Sequence, residues 1–402
     1  MAIDTPAKIA IVGAGPIGLE AALYARFLGY DVVIFERGDV AQSVRDWGHV
    51  RMFTPFGMNR SPLGLAALEA QDESYRPPAD NALLTGREWI ERYLAPLSQA
   101  DLLADHLRKQ TTVVAIGKEE LLKGDLPGDP DRGDWSFRLL VRDANGQERI
   151  ELADAVIDAS GVLTRANWLG HGGVPAVGEL AWRHKIEYRL PDILGADRER
   201  YAGRHTLLIG EGHSAATNLV ALAELAREAM GTEVTWITRR EGPAGAGGPI
   251  AVLANDRLPA RAALAQQANA LTGDPASGVA WWPATVVERI GGRSAVEGRS
   301  EFEVELSGRH AGTFTFDEII ASVGFRPNTS LYEELQMDAR RPHEPMSVVQ
   351  PEPNFYILGA KSYGRHSDFL VSLGLAQIRD LFAIIGDRAT LDLYATAPRL
   401  RT

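Results

Sequence analysis

Two glycine turns carry the chemistry most readily read in this chain. The first is Gly13-Ala14-Gly15-Pro16-Ile17-Gly18, with Glu36 further on; the second is Gly210-Glu211-Gly212-His213-Ser214-Ala215, with Arg239 and Arg240 further on. Glycines at this spacing let backbone N–H groups close on a phosphate at the start of a helix. Gly13 suits the tight turn, Gly15 the close approach of a pyrophosphate, and Gly18 close packing of helix on strand; Ala215 is an accepted variant of the third small residue. The charges that follow the two turns have opposite sign. A carboxylate such as Glu36 accepts hydrogen bonds from ribose hydroxyls, whereas two guanidinium groups suit an adenosine 2′-phosphate, which a carboxylate would repel. The second turn is therefore assigned to NADPH in preference to NADH, the competing reading being that Arg239 and Arg240 are solvated strand-end charges. Ser214 is read as a helix cap or phosphate contact. The residues of the first turn do not by themselves decide which dinucleotide it takes.

The elements that must position these residues are visible around them. Ile9–Val12 reads as a strand, the segment to about Gly29 as a helix, and Val32–Phe35 as a second strand. The same order recurs with strands at 207–209 and 234–237 around an alanine-rich helix over 215–230. Between the two copies the pattern predicts helices at 63–69 and 88–94, then strands at 111–116, 136–142 and 150–157, with Asn145-Gly146 as a hairpin turn. Further strands are predicted around 279–290, 302–306 and 313–316, and 354–360 reads as a strand running into a turn. A helix over 367–385 closes the chain, with Ser367 or Asp368 as its N-cap. The glycine-rich stretch 242–248 reads as a mobile loop. The fold class is α/β, with two Rossmann-like dinucleotide units.

Composition narrows the function. The 402 residues are 45% hydrophobic and 24% charged, and the net charge of −11 opposes a nucleic-acid partner. With no cysteine anywhere, disulfides, thiolate metal sites, cysteine nucleophiles and dithiol relays are excluded. No His/Asp/Glu spacing suggests a metal site. There is no secretory signal and no apolar run of transmembrane length, so a cytoplasmic protein without membrane association is expected.

Four motifs, in order and spacing, resemble those of the two-dinucleotide-binding-domain flavoproteins, the group of thioredoxin-reductase-like enzymes and flavin-containing monooxygenases. They are Gly13–Gly18 with Glu36 and Arg37; Asp158-Ala159-Ser160-Gly161, similar to the crossover at the domain junction; Gly210–Ala215 with Arg239 and Arg240; and Ser322-Val323-Gly324-Phe325-Arg326-Pro327-Asn328, similar to the return into the flavin domain. The resemblance implies FAD in the first unit, held through Gly13, Gly15, Pro16, Gly18, Glu36, Arg37, Ser160, Gly161, Gly324, Gly359 and Phe369. It implies NADPH in the second, on Gly210, Gly212, His213, Ser214, Ala215, Arg239 and Arg240. The resemblance also implies three-layer ββα domains, the NADPH domain inserted into the FAD domain, with boundaries 1–165, 166–320 and 321–402. Two departures stand out. The ribityl-binding aspartate of such proteins is Ala360 here, which leaves Lys361, Ser362 or the backbone to replace it. His184 and Tyr188 echo the last half of the monooxygenase fingerprint, with the wrong spacing before them.

Hydride from NADPH would reduce the flavin, and without cysteine the electrons must go to O2, a substrate or an external acceptor. The leading expectation is an NADPH-dependent FAD monooxygenase that transfers one oxygen atom, through a C4a-peroxyflavin, to a small molecule. The alternatives are a flavin reductase or dehydrogenase without a cysteine relay, and a non-catalytic or regulatory flavoprotein. In the resembling proteins the segment after the acid runs beside the flavin, so His49, Arg51 and Asn59 are the candidate catalytic residues, walled by Trp47, Phe53 and Phe56; an ordinary core patch under a loop is the competing reading. His366, before the closing helix, is a fourth candidate, a helix-cap or surface role its alternative. Expected partners are a small-molecule substrate and O2, with a homodimer as the assembly considered.

Overall fold

The computed structural model describes residues 3–242, 248–252, 255–294, 300–337 and 348–396. Most of the glycine-rich stretch at 242–248 lies outside the described residues. The chain divides into two compact units, Met1–Arg165 with Arg326–Thr402, and Ala166–Phe325.

The first unit contains strands β1 (Lys8–Val12), β2 (Asp31–Phe35), β3 (Leu107–Arg108), β4 (Thr112–Lys118), β5 (Phe137–Arg142), β6 (Glu148–Ala153) and β7 (Ala155–Asp158). The second contains β8 (His205–Ile209), β9 (Glu233–Ile237), β10 (Val279–Trp282), β11 (Thr285–Ser294), β12 (Ser300–Gly308), β13 (Gly312–Phe316) and β14 (Glu318–Ala321); β15 (Phe355–Ile357) returns to the first. Both central sheets are parallel, in the orders β15-β7-β1-β2-β3 and β10-β9-β8-β14. Their strands are short apolar runs because both faces are covered.

In the first unit one face of the parallel sheet carries the helices Pro16–Phe27 and Val371–Ile385, which meet where Tyr24 stacks on Phe382 with ring centres 5.1 Å apart. The other face carries the antiparallel sheet β4-β5-β6, packed through Val113, Ile116, Phe137, Leu139 and Val141 against Val156, Phe355 and Ile357. This is the three-layer ββα arrangement. The second unit repeats it, with the helices His213–Glu228 and Pro259–Ala270 over one apolar cluster and β11-β12-β13 over another. β14 pairs with β8, so the strand and the turn after it, up to Phe325, belong to the second unit.

Several local expectations shift. The apolar run 150–157 is two strands, because the chain leaves the antiparallel sheet at Asp154 and enters the parallel one. The Asp154 carboxylate accepts the backbone N–H of Lys8 at 2.7 Å and pins that step. The strand expected across 279–290 breaks at Ala284, which takes φ +50°. The closing helix begins at Val371, later than 367, because Leu370 is extended (φ −118°, ψ 150°) and serves as its N-cap. The helix at 88–94 runs from Gly86 to Ser98 with a π-helical turn over Ile90–Leu94. Pro96 has no N–H for the Arg92 carbonyl, which accepts the Tyr75 hydroxyl at 2.8 Å instead. Helix Pro259–Ala270 had no counterpart in the sequence reading.

Candidate nucleotide-binding sites

In the first turn each glycine answers a different constraint. Gly13 has φ +103°, and a Cβ there would stand 2.9 Å from the Ala159 carbonyl oxygen. A Cβ on Gly18 would fall 1.9 Å from the Gly13 carbonyl oxygen, so only glycine lets the helix sit this close to the turn. A Cβ on Gly15 would meet nothing within 4 Å. Its backbone faces open space at the start of the helix, with Pro16 in the first turn, where the missing N–H costs nothing. This is the cradle a pyrophosphate needs, and the residues present fit the dinucleotide half of FAD. Glu36, at the end of β2, is nearly buried; its Oε2 accepts the Ala14 N–H at 2.8 Å and its Oε1 the Gly38 N–H at 2.9 Å. Those two bonds fix the carboxylate beside the turn. Arg37 points to solvent.

The geometry separates two substitutions that look alike in sequence. Gly15→Val should give folded, colourless protein, since the new side chain fills only ligand space; Gly18→Val should fail to fold. Flavin absorbance and a urea melt distinguish them, and yellow Gly15→Val protein would show that this turn does not hold the pyrophosphate.

The crossover after β7 is tied down from within. Ser160 donates through Oγ (2.6 Å) and backbone N (3.0 Å) to Asp158 Oδ1, and Gly161 takes φ +70°. Lys361, fully buried, forms an ion pair with Asp158 and donates to Ser160 Oγ at 3.1 Å. Its ammonium also lies 5.1 Å from the centre of the Tyr332 ring. Ser362 donates to the Gly359 carbonyl at 2.7 Å and accepts Gln377 Nε2 at 2.7 Å. Both side chains considered for the ribityl contact are thus engaged inside the fold. Gly359, at φ +73°, would put a Cβ 3.3 Å from Ile17, the residue between Pro16 and Gly18.

The candidate catalytic residues have mixed fates. The segment 50–57 is laced to 80–86 by backbone bonds, among them Met52 N to Leu84 O, Phe56 N to Ala82 O and Gly86 N to Val50 O. Asn59 is buried and turned inward: its Nδ2 donates to the Thr54 and Pro55 carbonyls at 3.0 and 3.1 Å, and its Oδ1 accepts the Thr54 hydroxyl at 3.0 Å. Arg51 is exposed, with its guanidinium on the Leu83 carbonyl. His49 is half-buried and His366 exposed. Phe56 is buried edge-on to Tyr93 at 5.6 Å, and the partly buried Trp47 packs against the core where a Cβ on Gly86 would be. Phe369 meets Tyr363 edge-on at 5.5 Å just before the closing helix. In the second unit His184 is exposed with Nδ1 3.1 Å from the Ala181 carbonyl, and Tyr188 donates to the buried Glu179 at 2.8 Å. Burial, and after it that hydrogen bond, push the Tyr188 phenol well above its ordinary range. His184 and Tyr188 are thus held by different partners, Ala181 and Glu179.

The second turn copies the first. Gly210 takes φ +135°, and its Cβ would fall 2.3 Å from the Ser322 carbonyl oxygen; a Cβ on Gly212 meets nothing within 4 Å. Ala215 is fully buried, Ser214 exposed, and His213 opens the helix. Arg239 and Arg240 follow β9 after the single residue Thr238. Thr238 holds that corner, donating to the Arg240 carbonyl at 2.7 Å and accepting Trp281 Nε1 at 3.1 Å. Gly324, at φ +78°, accepts the Asn167 N–H at 2.9 Å. Sequence reasoning passed over three groups: Glu211, the Lys361–Asp158 pair and Glu20 on the first helix. Only Glu211 carried a signal, an acid inside a phosphate-type turn.

Residues 10–120 match the family model for the pyridine nucleotide-disulphide oxidoreductases. The chain superposes on the bacillithiol disulfide reductase Bdr (YpdA) of Bacillus cereus with a TM-score of 0.67 and 16% identity, over 95% of this chain and 99% of that one. The fold is that of the two-dinucleotide-binding-domain flavoproteins. Within that fold it is also similar to DfoA, the cadaverine monooxygenase of Erwinia amylovora (TM-score 0.65, 16% identity, 96% and 95% covered). A flavin monooxygenase from Stenotrophomonas maltophilia gives a TM-score of 0.59 at 20% identity, with 96% and 99% covered. No curated protein matches the chain. Among the described residues no cluster of His, Asp and Glu could hold a metal ion, and no helix is long and apolar enough to cross a membrane.

Proposed function

We propose that this chain is an NADPH-dependent FAD oxidoreductase, and that it acts as a monooxygenase on a small molecule. The observation that carries the reading is the pair of open glycine cradles whose neighbouring strands end in opposite charge, Glu36 on one and Arg239 with Arg240 on the other. Gly15, Gly18 and Glu36 would hold FAD; Gly212, Ser214 and the arginines would hold NADPH. Bound together, the two cofactors supply hydride transfer to the flavin. The protein residues bind and orient them, and with no cysteine in the chain no thiol can take the electrons onward. That leaves O2 or a small acceptor, and the likeness to DfoA and the Stenotrophomonas enzyme favours oxygen transfer.

A second reading, a plain flavin reductase, has its own support: Asn59 and Arg51, the donors expected to line an oxygenation pocket, are occupied by backbone and loop partners. Anaerobic reduction by NADPH, followed by mixing with 18O-labelled O2 and a panel of primary amines and ketones, separates them. Label in the organic product establishes the monooxygenase. Stoichiometric hydrogen peroxide with no labelled product establishes the reductase, and failure of NADPH to bleach the flavin defeats both.

A further inference from the structure

Glu211 stands between the two glycines of the second turn. Its Oε1 lies 3.6 Å from Arg239 Nη2 and 4.0 Å from Arg240 Nε, so one carboxylate oxygen faces both guanidinium groups. The arginine side chains are 69% and 73% exposed and that of Glu211 30%. The backbone beneath is fixed: Gly210 accepts Trp236 Nε1 at 2.7 Å and packs on Ser322, while Thr238 sets the corner that carries the arginines. The three charges are therefore held together by the fold, at ion-pair distance and without direct hydrogen bonds.

We infer that Glu211 is a specificity-determining residue: an internal anion that occupies the Arg239–Arg240 fork and weakens its preference for a 2′-phosphorylated nucleotide. The inference rests on the reading that these arginines receive the 2′-phosphate of NADPH. Two guanidinium groups and one carboxylate leave a single net positive charge at the fork. A phosphate monoester brings a charge of about −1.5 to −2 near neutral pH. To reach the arginines it must displace Glu211 or sit beside it, and either lowers its advantage over a nucleotide with a bare 2′-hydroxyl. The groups are exposed and screened, so the effect is moderate and shrinks with salt. The fork is preformed, and the carboxylate sets how strongly it discriminates.

The test is calorimetric titration of the flavin-loaded full chain with 2′,5′-ADP and with ADP, which read the 2′-phosphate without turnover. Glu211→Gln should bind 2′,5′-ADP about twofold to fivefold more tightly at low salt, leave ADP unchanged, and steepen the salt dependence of the phosphorylated probe. Arg239→Gln with Arg240→Gln should weaken 2′,5′-ADP alone. If the arginine variant weakens 2′,5′-ADP while Glu211→Gln changes nothing, the role given to Glu211 is wrong and the 2′-phosphate assignment stands. If the arginine variant also leaves 2′,5′-ADP unaffected, the assignment itself fails and the inference with it. Weaker binding of both probes by Glu211→Gln would make Glu211 a ribose ligand and overturn the inference.

Discussion

Replacing Lys361 by methionine is expected to destabilise the first unit by roughly 3–5 kcal/mol, because it leaves the Asp158 carboxylate buried without its cation. Both side chains of the pair are fully buried, and the Ser160 hydroxyl completes the cluster. The double variant Lys361→Met with Asp158→Asn, which removes both charges, should recover much of the loss, since taking two ions out of water costs nearly what their attraction returns. Urea melts followed by the release of bound flavin read the unit that holds the cluster. A single variant that melts like the parent would show that the pair contributes nothing. Asp158 ends β7 opposite Val12, the residue before Gly13, and Lys361 lies two residues after Gly359, so the single variant should also release flavin more readily, even below the melt.

The second large effect concerns Glu20, on the helix that begins at the first turn. It is 3% exposed, its Oε1 has no hydrogen-bond partner, and burial pushes its carboxyl from 4.5 up to about 7. The hydroxyls of Ser61 and Tyr394 act against the shift and are outweighed. An acid whose folded pKa is raised holds its proton more tightly when folded. Its contribution is therefore most favourable below about 4.5 and is lost as pH rises through about 7. The gap amounts to about 3 kcal/mol, at roughly 1.4 kcal/mol for each unit. Glu20→Gln should thus stabilise the protein at pH 8 by up to about that amount and change little at pH 4.5. Parallel stability curves for parent and variant across this window would show that Glu20 ionises as freely in the folded state as in the unfolded one.

Much of the fold is legible because its signals are local. Ile9–Val12, Val32–Phe35 and their counterparts at β8 and β9 are apolar runs bounded by glycine turns, and a parallel strand buried on both faces has just that appearance. Asn145-Gly146 announces the β5–β6 hairpin for an equally local reason: Gly146 takes φ +79°. The signals fail where distant residues decide. Nothing near Asp154 says that the strand changes sheets there, because the partner is the Lys8 backbone. Ser367 and Asp368 have the side chains of an N-cap, yet the helix waits for Val371. In the site, the glycines and Glu36 are legible because phosphate binding demands backbone geometry at fixed spacing. Asn59 is not, because an amide that closes its own loop on Thr54 and Pro55 looks in sequence like an amide aimed at a ligand. Lys361 is hidden for a similar reason: its partner lies in another segment of the chain.

The interrupted layout of the first unit has a consequence for synthesis on the ribosome. Its parallel sheet lacks β15 until residue 357 has been made, and the helix Pro16–Phe27 lacks its Tyr24–Phe382 contact until the closing helix emerges. The buried Arg132–Glu352 ion pair, held by two bonds of 3.0 and 2.9 Å, likewise joins an early segment to a late one. The second unit is continuous from Ala166 to Phe325 and can close on itself first. The unit begun first is finished last. Until then its exposed apolar strands are the part of the nascent chain that most needs a chaperone.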